Sequence, residues 1–147
     1  MTFTEKIGED LKEAMKAKDE FRVSCLRMLK TSLKHKQVEK GHTLGDEEAR
    51  SVVASLIRKG QEAALEFRKG NREDLAFKED QEVKFLYTYM PQQMTPEEIE
   101  TALREVVQEL SAHSLKDLGR VMKTAMVRVG DRAQGKQVNE IARRLLS

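Results

Sequence analysis

Residues 130–137 read GDRAQGKQ and match the spacing G-x-x-x-x-G-K of a nucleotide-binding P-loop. In a P-loop the backbone amides surround the phosphates, the Lys reaches the terminal ones, and a following Ser or Thr holds Mg²⁺. Gln137 occupies that last position, and an amide is a poorer Mg²⁺ ligand than a hydroxyl. The preceding KTAMVRV has the apolar spacing of a helix, whereas a P-loop follows a buried strand. The motif therefore predicts a turn between two helices, in which Gly130 ends the first helix with a positive φ and Gly135 allows a sharp bend.

The other residue types that carry chemistry do not form a catalytic pattern. Cys25 lies beside an apolar helical stripe and is expected to pack as a small buried residue. The histidines, at positions 35, 42 and 113, lack the H-E-x-x-H or C-x-x-C spacing of metal sites. The acids of KEDQE (78–82) are typical of a solvated helix face. We expect no catalytic residue, no metal and no cofactor, and a turn at 130–137 that binds an isolated phosphate without hydrolysing nucleotides.

The chain has 147 residues, of which 39% are hydrophobic and 35% charged, and it contains one Cys. This length suffices for one domain or two small ones, and a lone Cys excludes an internal disulfide. The first residues are charged throughout, and no stretch reaches the ~20 apolar residues of a membrane span. The sequence therefore predicts a cytoplasmic monomer that does not enter a membrane.

Charge is segregated along the chain, although the net charge is only +2. Residues 22–40 and 114–147 each carry an excess of five positive charges, whereas residues 91–113 contain five acids and one Arg. Such basic segments are able to meet a polyanion.

Apolar residues recur at spacings of three and four, which predicts helices and no strand. The sequence TPEE (95–98) has the N-cap, first-turn Pro and capping-box acid of a helix start, and Asn71 is expected to cap another helix. Pro91 interrupts the pattern because proline cannot continue a helix. We therefore expect an all-α fold with domains 1–90 and 91–147.

The candidate nucleic-acid-binding residues are the cations that lie opposite the apolar face of the last two helices and in the turn between them. They are Lys116, Arg120, Lys123, Arg132, Lys136 and Arg143. A secondary basic patch comprises Arg27, Lys30 and Lys34. In many proteins Lys and Arg beside an apolar stripe bind no ligand and only keep the protein soluble, and this alternative stays open. The last aromatic residue is Tyr89, so the second domain cannot stack bases and would contact phosphates and helical shape.

Several motifs together give the chain a resemblance to the YqeY-like family (GatB/YqeY), which is related to the tail domain of the B subunit of aspartyl/glutamyl-tRNA amidotransferase. The motifs span nearly the whole chain. They are the LRMLK-x-SLK pattern at Leu26–Leu29, Lys30 and Ser32–Lys34, the G-x-R-x-DLA-x-KE pattern at 70–79, YMP-x-Q at 89–93, D-x-G-x-VM at 117–122 and GK-x-VN at 135–139. Where the family commonly has Ala-Asp-Gly, residues 133–135 read Ala-Gln-Gly, which removes an acidic cap from the last helix.

The resemblance implies an N-terminal stack of helical hairpins and a C-terminal three-helix bundle similar to a tRNA-binding tail. It also implies a free-standing accessory module that binds tRNA or another folded RNA, and that has an aminoacyl-tRNA synthetase or an amidotransferase as a partner. Two alternatives stay open. One is a component of a glutamine-dependent amide-transfer complex, which would carry the family label of carbon-nitrogen ligase. The other is a helical protein-interaction module.

Overall fold

The computed structural model describes all residues from Met1 to Ser147 and consists of helices joined by short turns. There are seven α-helices and no strand, which confirms the predicted all-α fold. The helices are α1 (Phe3–Lys16), α2 (Glu20–Lys40), α3 (Asp46–Lys69), α4 (Glu73–Tyr87), α5 (Pro96–Glu109), α6 (Leu118–Val129) and α7 (Gly135–Leu146). Two 3₁₀ turns, Leu115–Asp117 and Gly130–Arg132, precede and follow α6.

The chain divides into two compact units, Met1–Met90 and Pro91–Ser147. The first unit contains α1 to α4, in which α1 packs on α2 and α3 packs on α4 as two helical hairpins. Its core is a single cluster of aliphatic side chains that includes the fully buried Leu26, Leu29 and Ile57. Burial of these side chains stabilises each by about 1.5–3 kcal/mol relative to exposure, so the apolar stripes of the helices determine which faces meet.

Gly60 allows α3 and α4 to approach closely. It is buried in the middle of α3, where Gly costs about 1 kcal/mol relative to Ala in helix propensity. A Cβ at this position would lie 2.7 Å from Cγ2 of Val83 in α4, which is well inside van der Waals contact. The lost propensity is therefore offset by the packing of the hairpin.

Aromatic side chains close one end of the first unit. The ring of Tyr89 makes edge contacts with Phe3 and Phe85, at centroid distances of 6.0 and 5.8 Å. Its hydroxyl donates a hydrogen bond to Oδ2 of Asp10 at 2.5 Å. Burial and the neighbouring Asp10 carboxylate raise the pKa of Tyr89, so its hydroxyl stays a donor. The Tyr of the YMP-x-Q motif thus belongs to the core of the first unit.

The second unit is a bundle in which α5, α6 and α7 each contact the other two. Its core includes Ile99 and Val106 of α5, Val121 of α6 and Val138 of α7, all fully buried. These residues recur at helical spacing within each element, as the sequence predicted.

The predicted start of α5 is confirmed, whereas the predicted start of α4 is not. Thr95 accepts a hydrogen bond from the amide of Glu98 and the Glu98 carboxylate accepts one from the amide of Thr95, which is the expected capping box. The expectation that Asn71 caps α4 is wrong: the N-cap is Arg72, and Asn71 has φ 57°. The amide of Arg72 instead donates to the carbonyl of Phe67, so Asn71 occupies the left-handed position that ends α3.

None of the helices combines the length and the apolarity that a membrane span requires.

We predict that residues 91–147 fold as an isolated fragment. The second unit has its own buried core, and a unit with a separate core is able to fold alone. The fragment should show a helical circular dichroism spectrum and a cooperative melt. Fewer than about 60 residues make a marginal core, so we expect a lower melting temperature than in the whole chain. A spectrum of random coil at low temperature would contradict independent folding.

Candidate nucleic-acid interface

The C-terminal candidate cations lie on the outward faces of α6 and α7. In α6 the buried residues Val121, Ala125 and Val129 recur every four positions and face the core. Arg120 and Lys123 are exposed on the opposite side. Lys116 is exposed in the 3₁₀ turn that precedes α6.

The same logic applies to α7 and to the turn before it. Val138, Ile141 and Ala142 are buried, so Lys136 and Arg143 face solvent from the other side of the helix. Arg132 is exposed in the 3₁₀ turn Gly130–Arg132. All six candidates are therefore accessible to a ligand.

Lys123 of α6 and the pair Lys136 and Arg143 of α7 are exposed on two helices that pack against each other. Arg128 of α6 is ion-paired with Glu109, so α5 lies on that side of α6. A Cβ on Gly135 would lie 3.9 Å from Cε of Met126, so α7 lies on the Met126 side. With about 3.6 residues per turn, Lys123 and Arg120 both project away from the buried face of α6. By the same repeat, Lys136 and Arg143 project away from the buried face of α7.

Partners within the protein hold the arginines, but not the lysines. Arg120 Nη2 lies 2.8 Å from Oδ1 of Asp117, Arg143 Nε donates to Oδ1 of Asn139 at 2.9 Å, and Arg132 Nε donates to the carbonyl of Gln92 at 3.3 Å. Each guanidinium keeps further donors free, because it carries five N–H groups. The three candidate lysines, at positions 116, 123 and 136, make no ion pair. The site thus combines oriented guanidinium groups with free ammonium groups.

The carboxylate of Asp117 reduces the positive charge at Arg120. Its pKa is lowered to about 2, mainly by the hydrogen bond from the backbone N–H of His113 and next by Arg120. The pKa of Asp117 is lower in the folded protein than its ordinary value. The ionised carboxylate therefore stabilises the fold fully above that ordinary value, and this stabilisation is lost as the pH falls toward 2. Asp117 is therefore ionised at neutral pH. Its negative charge offsets the positive charge of Arg120, so the pair adds less net positive charge to the surface than an unpaired lysine does.

Residues that follow Pro91 brace the turn between α6 and α7. The amide of Met94 donates to the carbonyl of Arg132 at 2.8 Å, and Nε2 of Gln93 donates to the carbonyl of Asp131 at 2.9 Å. The Gln of the YMP-x-Q motif thus fixes the turn that carries Arg132. This contact between distant segments was not predictable from the spacing of the motif.

The structure of the GDRAQGKQ segment agrees with a helix-to-helix turn. Gly130 ends α6 with φ 53°, as predicted, because this backbone conformation favours glycine. The expected bend at Gly135 is wrong, because Gly135 is already the first residue of α7 and has no positive φ. The side chain of Gln134 makes no capping hydrogen bond at the start of α7. The positive end of the helix dipole and Lys136 favour a bound anion there.

We predict that the chain does not hydrolyse ATP or GTP. No strand precedes the motif, and the Mg²⁺-binding hydroxyl is replaced by the amide of Gln137. Phosphate release measured with either nucleotide and Mg²⁺ should equal that of a blank. A steady rate that is lost in Lys136→Ala would contradict this prediction, because that Lys would then contact the terminal phosphates.

The secondary basic patch lies on α2 in the first unit. Arg27, Lys30 and Lys34 are exposed at spacings of three and four, and they flank the stripe of the buried Leu26, Leu29 and Leu33. None of the three cations has an ion-pair partner. They form one ridge, which makes them a suitable comparison for the cations of the second unit.

Two exposed residues of α6 belong to the candidate surface but were not identified from the sequence. Gly119 is exposed, and a Cβ there would meet no atom within 4 Å, so packing does not require glycine. Val127 is 82% exposed on the same outward face as Arg120 and Lys123. An isolated Gly inside a helical pattern is the signal that marks Gly119, since it costs about 1 kcal/mol relative to Ala.

Cys25 is buried, with 2% of its surface exposed. Burial, assisted by the negative charge of Glu82, raises the pKa of its thiol to about 11. The thiol is therefore neutral at physiological pH and lacks the thiolate character of a nucleophile. No group of three or more His, Cys, Asp or Glu residues is arranged to hold a metal ion.

Comparison with known proteins gives one family match and several curated relatives. The model of the family described as "Yqey-like protein" matches residues 4–146. The relatives are proteins named "Altered inheritance of mitochondria protein 41, mitochondrial". That of Vanderwaltozyma polyspora is 33% identical over 107 residues, which is 71% of this chain and 58% of the relative. That of Lachancea thermotolerans is 31% identical over 118 residues, or 76% of this chain and 63% of the relative.

A further relative of the same name, from Kluyveromyces lactis, is 37% identical over 84 residues, or 56% of this chain and 45% of the relative. In each case the matched region spans less than two thirds of the relative's length. The expectation of a cytoplasmic protein is contradicted, because these relatives are named as mitochondrial. A lone Cys fits a reducing compartment, but it does not distinguish one interior compartment from another.

Proposed function

The chain belongs to the Yqey-like protein family, and we propose that it is a non-catalytic module that binds tRNA or another folded RNA through the phosphate backbone. One observation carries the proposal, namely the set of exposed cations on α6, on α7 and in the braced turn between them. The similarity to the amidotransferase tail domain seen in the sequence motifs points in the same direction.

The donor set suits phosphate oxygens. Guanidinium and ammonium groups form charge-assisted hydrogen bonds to phosphates, and the uncapped start of α7 adds backbone amides beside Lys136. Lys123 and Arg143 are exposed on two helices that pack against each other, so neighbouring phosphates along one strand would be able to engage both helices. Contacts of this kind position an RNA without reading its bases.

The absence of a stacking platform favours folded RNA over single strands. No aromatic residue occurs after Tyr89, and Tyr89 packs in the core of the first unit. Readers of single-stranded RNA gain about 1–3 kcal/mol from each stacked base, which this surface cannot supply. Recognition of backbone and helical shape is the mode that remains.

The distribution of charge in the second unit would orient such a ligand. Residues 91–113 contain five acids and one Arg, and Glu97, Glu98 and Glu105 of α5 line a shallow groove. A polyanion would be repelled from α5 and attracted to the outward faces of α6 and α7.

The test is a titration of fluorescent tRNA with the whole chain at several salt concentrations. We expect three to five phosphates to be neutralised, which gives a slope of log K against log[salt] of roughly −2 to −4. Binding should weaken strongly in moderate salt. A single-stranded RNA of equal length should bind no more tightly than tRNA, because its bases find no ring on which to stack.

A companion pull-down separates this proposal from the two alternatives. Partners should be lost when ribonuclease is added if RNA mediates the association. A partner enzyme that stays bound after RNA digestion would favour the amide-transfer complex. Absence of RNA binding at low salt, together with a ribonuclease-resistant protein partner of another kind, would favour the helical interaction module.

A further inference from the structure

A polar cleft of about 480 Å³ lies between α2 and α3 in the first unit. Its size is within the 300–1,000 Å³ range of small-molecule sites. Its floor is apolar and includes the buried Val52 and the half-buried Leu56, whereas its walls carry hydroxyl and charged groups. The cleft does not include the ridge of Arg27, Lys30 and Lys34, which projects from another side of α2.

Hydroxyl groups are the first distinguishing feature of the walls. Ser51 and Ser55 stand one turn apart on α3, and Ser32 faces them from α2. Serine in a helix commonly bonds to the carbonyl four residues earlier, but these three side chains make no hydrogen bond within the protein. Each hydroxyl is therefore available to donate to a ligand.

Cations are the second feature. Arg58 and Lys59 of α3 line the cleft and have no ion-pair partner. Lys36 of α2 lies 3.5 Å from Glu39, which is the one acidic side chain among the lining residues. The walls thus carry three cations against one carboxylate, together with the imidazole of His35.

We infer that this cleft binds a phosphate group of a ligand, with the serine hydroxyls and the Arg58 guanidinium as donors to its oxygens. Arg offers a planar pair of donors and Lys a mobile charge, and both are common phosphate ligands. The serine hydroxyls add neutral donors that a solubilising basic surface does not need. Because no Phe, Tyr or Trp side chain lines the cleft, we expect it to hold the phosphate of its ligand without the stacking platform of a single-strand reader. The ligand is either a small phosphate ester or a nucleic acid that offers a backbone phosphate.

The test is a calorimetric titration of the whole chain with inorganic pyrophosphate at low salt. Three double variants are compared with the parent chain. Arg58→Ala with Lys59→Ala removes two cleft cations, and Ser51→Ala with Ser55→Ala removes two hydroxyls at constant charge. Arg27→Ala with Lys30→Ala removes two cations of α2 outside the cleft and is the matched control. All six positions are helical and Ala is the best helix former, so folding should be preserved.

We expect the first two variants to lower the pyrophosphate affinity at least tenfold and the control to change it less than twofold. A hydrogen bond to a charged group accounts for a loss of this size. Diffuse attraction depends only on charge, so it would give equal losses in the cleft-cation variant and the control, and unchanged affinity in the serine variant. Either of these two results would overturn the inference. Lack of pyrophosphate binding by the parent chain would overturn it as well.

Two further measurements complete the test. The first identifies the source of the phosphate, and the second separates this inference from the RNA proposal. Displacement of pyrophosphate by tRNA would assign the cleft to backbone phosphates, and retention would assign it to a small phosphate ester. The change Arg120→Glu with Lys123→Glu and Lys136→Glu lies in the second unit and should leave pyrophosphate affinity at the cleft unchanged. The two proposals therefore fail independently.

Discussion

Reversing three charges on the second unit, by Arg120→Glu, Lys123→Glu and Lys136→Glu, should lower the affinity for tRNA about a hundredfold. An exposed charge contact contributes up to about 1 kcal/mol, so three lost contacts amount to about 3 kcal/mol, and each 1.4 kcal/mol is tenfold. The introduced carboxylates repel the backbone in addition. Binding at several salt concentrations is the measurement, and the salt slope should become shallower as fewer phosphates are neutralised.

The matched control reverses three charges on the ridge of α2, by Arg27→Glu, Lys30→Glu and Lys34→Glu. Both triple variants change the net charge of the chain equally, and all six side chains are exposed, so folding should be preserved in both. We expect the control to retain most of the affinity. Undiminished binding in the first variant, with loss in the control, would move the interface to α2. Equal losses would indicate a long-range charge effect without a defined site.

Adding one methyl group at Gly60 and at Gly119 should change stability in opposite directions. At Gly60 the new Cβ would lie 2.7 Å from Cγ2 of Val83, and a β-branched side chain has little rotamer freedom with which to move aside. Overpacking destabilises a protein by about 1–3 kcal/mol. The better helix propensity of Ala offsets up to about 1 kcal/mol of this cost. Gly60→Ala should therefore destabilise the first unit by about 1–2 kcal/mol and lower its melting temperature by roughly 5–10 °C.

At Gly119 the same substitution meets no atom within 4 Å, so only a propensity gain remains, and it is at most about 1 kcal/mol because Gly119 lies in the first turn of α6. Gly119→Ala should therefore stabilise the second unit. Denaturant unfolding of the whole chain, followed by circular dichroism, measures both changes. Gly60→Ala with parental stability would show that α3 and α4 separate without cost, which would contradict the close packing inferred for the hairpin.

Gly119→Ala also tests whether the exposed glycine serves the proposed interface. A Cβ would occupy space at the outward face of α6, where an RNA backbone would approach. Weaker tRNA binding in a variant that is more stable would indicate that glycine is retained for contact with the ligand. Unchanged binding would leave Gly119 without a role in that contact.

Helices and their inward faces could be predicted from the sequence because both depend on local spacing. Apolar residues at intervals of three and four define the buried face of α6, and the same repeat places Arg120 and Lys123 outward. The capping box of Thr95 and Glu98 likewise involves neighbours in sequence. The motifs at 26–34, 70–79, 89–93, 117–122 and 135–139 together indicated the Yqey-like family, which the family match confirms.

Helix ends that lack a glycine at the left-handed position, and the location of the protein, could not be predicted. Helix α3 ends with Asn71 in a left-handed conformation although Gly70 precedes it, and Lys18 and Ser111 adopt the same conformation after α1 and α5. No glycine marks these two positions, so the sequence carried no signal for them. The predicted cytoplasmic location was also wrong, because a lone Cys does not distinguish one interior compartment from another.

The sequence by itself determined that the chain forms amphipathic helices and that their outward faces carry segregated charge, since helical period and charge are properties of residues close together in the chain. Only the tertiary structure decided which of those residues share a surface. It packed α6, which carries Lys123, against α7, which carries Lys136 and Arg143. It also brought Ser32 of α2 and the serines of α3 into one cleft, and it used Gln93 to brace the turn that carries Arg132. The physical reason is that such pairings depend on how the helices pack, and packing is determined by the fit of all the buried side chains together.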